Sequence, residues 1–212
     1  MTLIWVSLVA SVLYYVTQPW HPFPGSPLLK CLPVALLAVY AWRAKLPGRQ
    51  GLLLGLALAF GSLGDVLLDW NDSLFAAGLG AFLIGHFTYI GLFWTNRPKP
   101  TRLPPFEIAI VVGLAIFACA MSLYLLPAVG PLAPAVAVYM GAITGMAVCA
   151  VALRLPSRWL IVGAVLFLIS DTILAVSKFK SPVPGRDLLV WPTYYAGQLL
   201  IATGYVRARM AR

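Results

Sequence analysis

Eight long apolar runs, divided by short breaks rich in proline, glycine and basic residues, organise this chain. They are Met1 to Thr17, Pro27 to Trp42, Gly51 to Leu68 and Leu74 to Trp94, then Phe106 to Leu126, Ala133 to Leu153, Trp159 to Ser177 and Leu188 to Val206. A helix needs about 20 predominantly apolar residues, within a range of about 17–25, to cross the hydrocarbon of a bilayer. The first two runs are short, which suits little tilt or an end within the interface. Only 10% of the 212 residues are charged, against about 25% in soluble domains. The expectation is an all-α protein: one polytopic transmembrane domain over residues 1–212, a bundle of eight helices. Met1 to Val16 lacks a basic n-region and a small-residue cleavage site, so it reads as the first span and not as a cleavable signal.

The net charge of +9 raises nucleic acid as a partner, and the distribution of the charge excludes it. The basic residues stand in twos and threes between apolar runs, where control of topology explains them. Arg43, Lys45 and Arg49 follow run two; Arg97, Lys99 and Arg102 follow run four; Arg154 and Arg158 flank the turn after run six; Arg207, Arg209 and Arg212 follow run eight. That places 11 of the 15 basic residues on one side. The other side holds Lys30, Lys178, Lys180 and Arg186 with Asp69, Asp72 and Asp187. The positive-inside rule then makes both termini cytoplasmic. The three cysteines, Cys31, Cys119 and Cys149, lack CxxC spacing and read as small core residues.

Against this background two aspartates stand out. Asp65 lies in Gly61-Ser62-Leu63-Gly64-Asp65-Val66-Leu67-Leu68, and Asp171 in Leu166-Phe167-Leu168-Ile169-Ser170-Asp171-Thr172-Ile173-Leu174. A carboxylate at the middle of a bilayer helix costs roughly 3 kcal/mol on insertion scales, so such a residue is a functional hypothesis by default. The alternative is a structural polar clamp between helices. Both aspartates are expected in the outer half of outward-running spans, at similar depth, where a carboxylate pair suits proton chemistry or cation binding. Gly64-Asp65-Val66-Leu67-Leu68 also resembles Ser170-Asp171-Thr172-Ile173-Leu174, a hint of a parallel four-plus-four repeat.

Other polar residues gather near the same depth. Gly78, Phe82, Gly85, His86 and Tyr89 form one stripe of the fourth helix. The glycines read as a packing seam, while His86 is either a core histidine or part of a site. Asp69, one turn beyond Asp65, reads as a solvated end residue. Lys30 is either a snorkelling lysine or a phosphate contact. Tyr139, Tyr194 and Tyr195 suit an interfacial belt, and Gln198 lies too deep for one, so it needs an interhelical or ligand partner. There is no Gly-x-Ser-x-Gly elbow, P-loop or dinucleotide fingerprint. Two histidines are too few for a His-rich zinc site.

In order along the chain come Lys30 with Pro33, then Gly64-Asp65-x-x-Leu68, then Phe82-x-x-Gly85-His86-x-x-Tyr89. Gly163-Ala164-x-x-Phe167-x-x-Ser170-Asp171-x-x-Leu174-Ala175 and Tyr194-Tyr195-x-x-Gln198 complete the set. This ordered set resembles the YhhN-like lysoplasmalogenase family of multi-span membrane proteins. The resemblance implies hydrolysis of the vinyl ether bond of a lysophospholipid substrate, the lysoplasmalogens, to a fatty aldehyde and a glycerophospho-head group. It implies Asp65 and Asp171 as the acid/base pair, with Lys30, His86, Tyr139, Tyr194 and Gln198 binding substrate. No metal and no organic cofactor is required. The expected partners are the lysophospholipid and membrane lipid, not nucleic acid, and the expected location is a bacterial inner (cytoplasmic) membrane. Two other classes stay open: a small proton-coupled transporter using Asp65 and Asp171 as coupling sites, and a non-catalytic lipid-binding scaffold.

Overall fold

A computed structural model describes residues 1–98, 103–155 and 157–211. Lys99, Arg102 and Arg212, counted above in the charge asymmetry, lie outside the described residues. The chain is all-helical. Its α-helices are α1 (Thr2–Thr17), α2 (Ser26–Arg43), α3 (Gln50–Trp70), α4 (Phe75–Thr95), α5 (Pro105–Val129), α6 (Ala133–Ala152), α7 (Arg158–Phe179) and α8 (Arg186–Met210). Each falls on one apolar run, and the breaks fall where proline, glycine and charge interrupt the apolar pattern. Among the described residues five helical stretches are long and apolar enough to cross a bilayer: those holding α1, α3, α4 and α7, and a 48-residue stretch that holds both α5 and α6. The chain is thus an integral membrane protein.

α2 and α8 fall short of that measure, and α8 shows why. Twelve of its residues are buried, among them Tyr194, Tyr195, Gln198 and Thr203. A helix enclosed by other helices meets protein, not lipid, and can carry polar side chains that find partners there. Trp191 Nε1 donates to the Ser11 carbonyl at 3.1 Å, and Tyr195 and Ser7 hydroxyls lie 2.8 Å apart, which pins α8 to α1. Conversely, α5 lies outside the ring and buries only Leu114, Leu125 and Val129. Cys119 on α5 is accordingly exposed and Cys31 only partly covered, so Cys149 alone is a core residue.

Helices α2, α3, α4, α6, α7 and α8 pack in that cyclic order, with α1 against α2 and α8 and with α5 against α6 and α7. The two halves repeat one crossing. A Cβ on Gly85 of α4 would stand 3.1 Å from the Ala57 carbonyl oxygen and 3.7 Å from Gly61 N of α3. A Cβ on Gly197 of α8 would stand 2.9 Å from the Gly163 carbonyl oxygen and 3.0 Å from Phe167 N of α7. Asp65 follows Gly61 by one turn, as Asp171 follows Phe167. Phe82-x-x-Gly85-His86 therefore matches Tyr194-x-x-Gly197-Gln198, and α4 packs on α6 as α8 packs on α2. The shared crossing follows a four-plus-four repeat while the placement of α1 and α5 does not, and the crossing brings both aspartates to one end of the bundle.

Candidate active site

Close helix crossings leave a cavity of about 390 Å³ at that end. Asp65, Asp171, Tyr139, Tyr194 and Lys30 all line it. Its mouth carries Asp72, Lys178 and Arg186, and Lys178 lies 3.4 Å from Asp72 across the opening. Its floor is aromatic. Phe167 meets Tyr194 and Phe82 edge-on and His86 at a tilt, with ring centroids 5.3, 6.2 and 4.9 Å away. Below this layer Tyr89, Phe93, Met146 and Tyr205 are fully buried, and among the described residues none from the opposite end of the bundle lines the cavity.

The two carboxyls have different surroundings. Asp65, 2% exposed, accepts a hydrogen bond from the Tyr194 hydroxyl at 2.8 Å. Phe82 occupies the matching place on α4 and has no hydroxyl. Asp171 instead takes its phenol donor, Tyr139, from α6. His86 Nε2 lies 3.1 Å from that phenol oxygen and 3.7 Å from Asp171 Oδ2. Asp171 keeps 13% of its side chain exposed, so water can reach it from the cavity. His86 and Gln198 do not line the cavity. Each is fully buried behind it, His86 against Tyr139, and Gln198 accepting from the Tyr89 hydroxyl at 2.7 Å. Gln198 thus has the interhelical partner its depth requires. The belt reading fails for the tyrosines, since Tyr139, Tyr194 and Tyr195 are buried and hydrogen-bonded inward. The packing-seam reading of the glycines holds: a Cβ on Gly78 would stand 2.8 Å from Leu68 Cδ2.

Asp69 departs most from expectation. It is not a solvated end residue; its side chain is 4% exposed. Its carboxylate accepts from Ser26 Oγ at 2.8 Å, Lys30 Nζ at 3.2 Å and the Tyr14 hydroxyl at 3.3 Å, and lies 3.1 Å from His21 Nε2. The connection between α1 and α2 folds over the end of α3 and covers it. Lys30 therefore enters the cavity already paired, and this counter-ion was invisible in the sequence. A Lys30-x-x-x spacing to its partner does not exist, because the partner stands a whole helix away.

The YhhN family profile matches residues 25–205. The chain belongs to the YhhN family. A Mycobacterium bovis lysoplasmalogenase is 32% identical over 189 residues, covering 86% of this chain and 71% of that protein. Human lysoplasmalogenase TMEM86B is 32% identical over 181 residues, 85% of this chain and 75% of the relative. Human lysoplasmalogenase TMEM86A is 32% identical over 224 residues, 94% of this chain and 87% of the relative. No solved structure matches the chain. The YhhN landmarks read from the sequence, from Lys30 to Gln198, thus fall within the matched segment; among them Lys30, Asp65, Phe82, Asp171 and Tyr194 line the cavity, and His86 and Gln198 lie in the layer behind it.

Proposed function

We propose that this YhhN protein is a lysoplasmalogenase that hydrolyses the vinyl ether bond of a lysophospholipid, with Asp65 and Asp171 as its acid/base pair. One observation carries the mechanism: two carboxyls, Asp65 buried and Asp171 half-buried, each held by a tyrosine phenol, line a single cavity whose floor is aromatic and whose mouth is charged. A vinyl ether is cleaved by protonating its β-carbon, which leaves an oxocarbenium ion at the α-carbon and oxygen. Water adds to the α-carbon, and the hemiacetal collapses to aldehyde and free alcohol. Asp65, remote from water, delivers the proton. Asp171, reachable by water, stabilises the cation and then takes the proton of the attacking water, a division of labour that paired carboxyls also use on glycosides. Tyr139, fixed by His86, orients Asp171, and Tyr194, backed by Gln198, orients Asp65. Lys30 meets the phosphate at the mouth, where a charge-assisted contact is stronger than a neutral one.

In this reading all eight helices span the membrane, both termini are cytoplasmic, and the cavity opens to the outer leaflet of a bacterial inner membrane. The transporter reading needs a polar path to the far side. The aromatic floor and the buried Tyr89, Phe93 and Tyr205 beneath it oppose that. The test is aldehyde release by purified protein from lysoplasmalogen in water enriched in ¹⁸O and deuterium. The expected product carries ¹⁸O in its carbonyl and one deuterium on the adjacent carbon. No aldehyde from an intact, folded preparation would return the transporter and scaffold readings to the front.

A further inference from the structure

Between α4 and α6 runs a second hollow, a groove of about 360 Å³ on the outside of the bundle. Ala76, Gly80 and Leu83 form one wall, and Leu132, Ala135 and Val138 the other. Among the described residues no charged side chain lines it. Leu132, Pro134, Ala135 and Val138 are exposed, so on a membrane-embedded bundle this trough faces the lipid chains. A Cβ on Gly80 would meet nothing within 4 Å, which leaves the trough open where the two helices part. Phe75, Leu79 and Tyr139 line both the groove and the cavity. One layer of side chains therefore separates the lipid-facing groove from Asp171, and the layer includes the phenol that holds Asp171.

The reaction sets a transport problem for such a site. Its two products have opposite polarity. The glycerophospho-head group is water-soluble and can leave through the charged mouth past Asp72 and Lys178. The fatty aldehyde cannot take that route without exposing its whole chain to water, which burial of apolar surface strongly opposes. The aromatic floor blocks descent between α4, α7 and α8. The cavity itself, at about 390 Å³, stands at the low end of the ~300–1,000 Å³ that compact ligands fill, and a long-chain lipid needs further apolar room.

We propose that the α4–α6 groove holds the hydrocarbon chain of the single-chain lipid and is the lateral door through which the fatty aldehyde returns to the bilayer. This rests on the hydrolase reading for the aldehyde, but not for the chain. Phe75, Leu79 and Tyr139 form the threshold: the head group stays at the polar mouth, the vinyl ether lies between the carboxyls, and the chain passes outward.

Two measurements test it. Gly80→Phe fills the trough without a backbone clash. Its kcat/KM should fall by about tenfold or more with a hexadecenyl chain, the scale at which apolar pockets discriminate, and stay within about twofold with a butenyl chain. No loss with either chain, or the same loss with both, overturns the proposal. Independently of any variant, a non-hydrolysable alkyl lysophospholipid with a diazirine at its chain end is photolysed with the wild-type protein in vesicles. Adducts on α4 and α6 near Gly80 and Ala135 are expected. Adducts confined to α5 around Phe117 and Met121, which line the far wall of the cavity, overturn the proposal. Adducts in the groove together with no aldehyde from any lysoplasmalogen would leave the chain site standing and remove the hydrolase reading.

Discussion

An aspartate on a membrane helix depends on the donors around it, and those of Asp65 and Asp171 can be varied one at a time. Asp65→Asn and Asp171→Asn each keep an oxygen that accepts from Tyr194 or Tyr139, so the protein should stay folded in membranes. Neither can give or take the proton, and loss of a general acid or base costs about 10²–10⁴ in rate. Aldehyde release should fall by at least the lower figure for each, and by far less for His86→Gln or Gln198→Ala, which change the residues behind the site. A structural clamp predicts loss of folded protein instead, read by size-exclusion chromatography in detergent. Near-normal turnover in either aspartate variant would dissolve the acid/base pair. Lys30 calls for a different design, because its partner Asp69 is 4% exposed and 3.2 Å away. Lys30→Ala should raise KM with little change in kcat, since a phosphate contact exists in ground and transition states alike. It also strands a buried carboxylate and should lower yield. Adding Asp69→Asn should restore yield and leave KM high; recovery of KM along with yield would make Lys30 a purely structural cation.

At the scale of helices, the shared crossing of α3 on α4 and of α7 on α8 is the most exacting contact in the fold. Gly197→Leu would drive side-chain atoms into the Gly163 carbonyl and the backbone of Phe167, both within 3.0 Å of a Cβ. Rigid backbone cannot give way as a flexible side chain can, so this variant should lose folded protein almost entirely. Gly80→Ala meets open space and removes a poor helix former, worth up to about 1 kcal/mol; it should match or exceed wild type in thermal stability. Equal tolerance of both changes would refute the close crossing. The helices were legible in the sequence because each coincides with an apolar run bounded by proline, glycine or charge. The convergence of Asp65, Asp171, Tyr139 and Tyr194 was legible in part, from their shared depth. The rest lay in pairings that spacing does not encode. Asp69 looked solvated because only the fold brings Tyr14, His21 and Ser26 over it. The tyrosines looked interfacial because nothing in a run of apolar residues says which face meets protein. The groove required the knowledge that α4 neighbours α6.

The side of the membrane that the cavity faces is a property of the whole molecule. The ends of the helices sort into two sets. Gln50 at the start of α3 accepts from Tyr205 near the end of α8, and Arg209 donates to the carbonyl of Asn96 after α4. This set includes Arg43, Arg97 and Arg207 and is the basic end. The opposite set joins Lys178 after α7 to Asp72 before α4, and Lys30 on α2 to Asp69 on α3, at the mouth of the cavity. An excess of arginine and lysine marks the cytoplasmic side, so the cavity should open outward. In a background with Cys31, Cys119 and Cys149 replaced, a cysteine at Ser181 should react with an impermeant maleimide added to intact cells. A cysteine at Arg97 should react only after permeabilisation. The transport alternative is judged in the same preparation: a cysteine at Thr144, deep on the wall of the cavity, should be protected by lysophospholipid from the outside alone, because the aromatic floor separates it from the basic end. Reaction of Thr144→Cys from both sides would mean a continuous path and would favour a transporter. Reaction of Arg97→Cys from outside would invert the protein and assign the site to the inner leaflet.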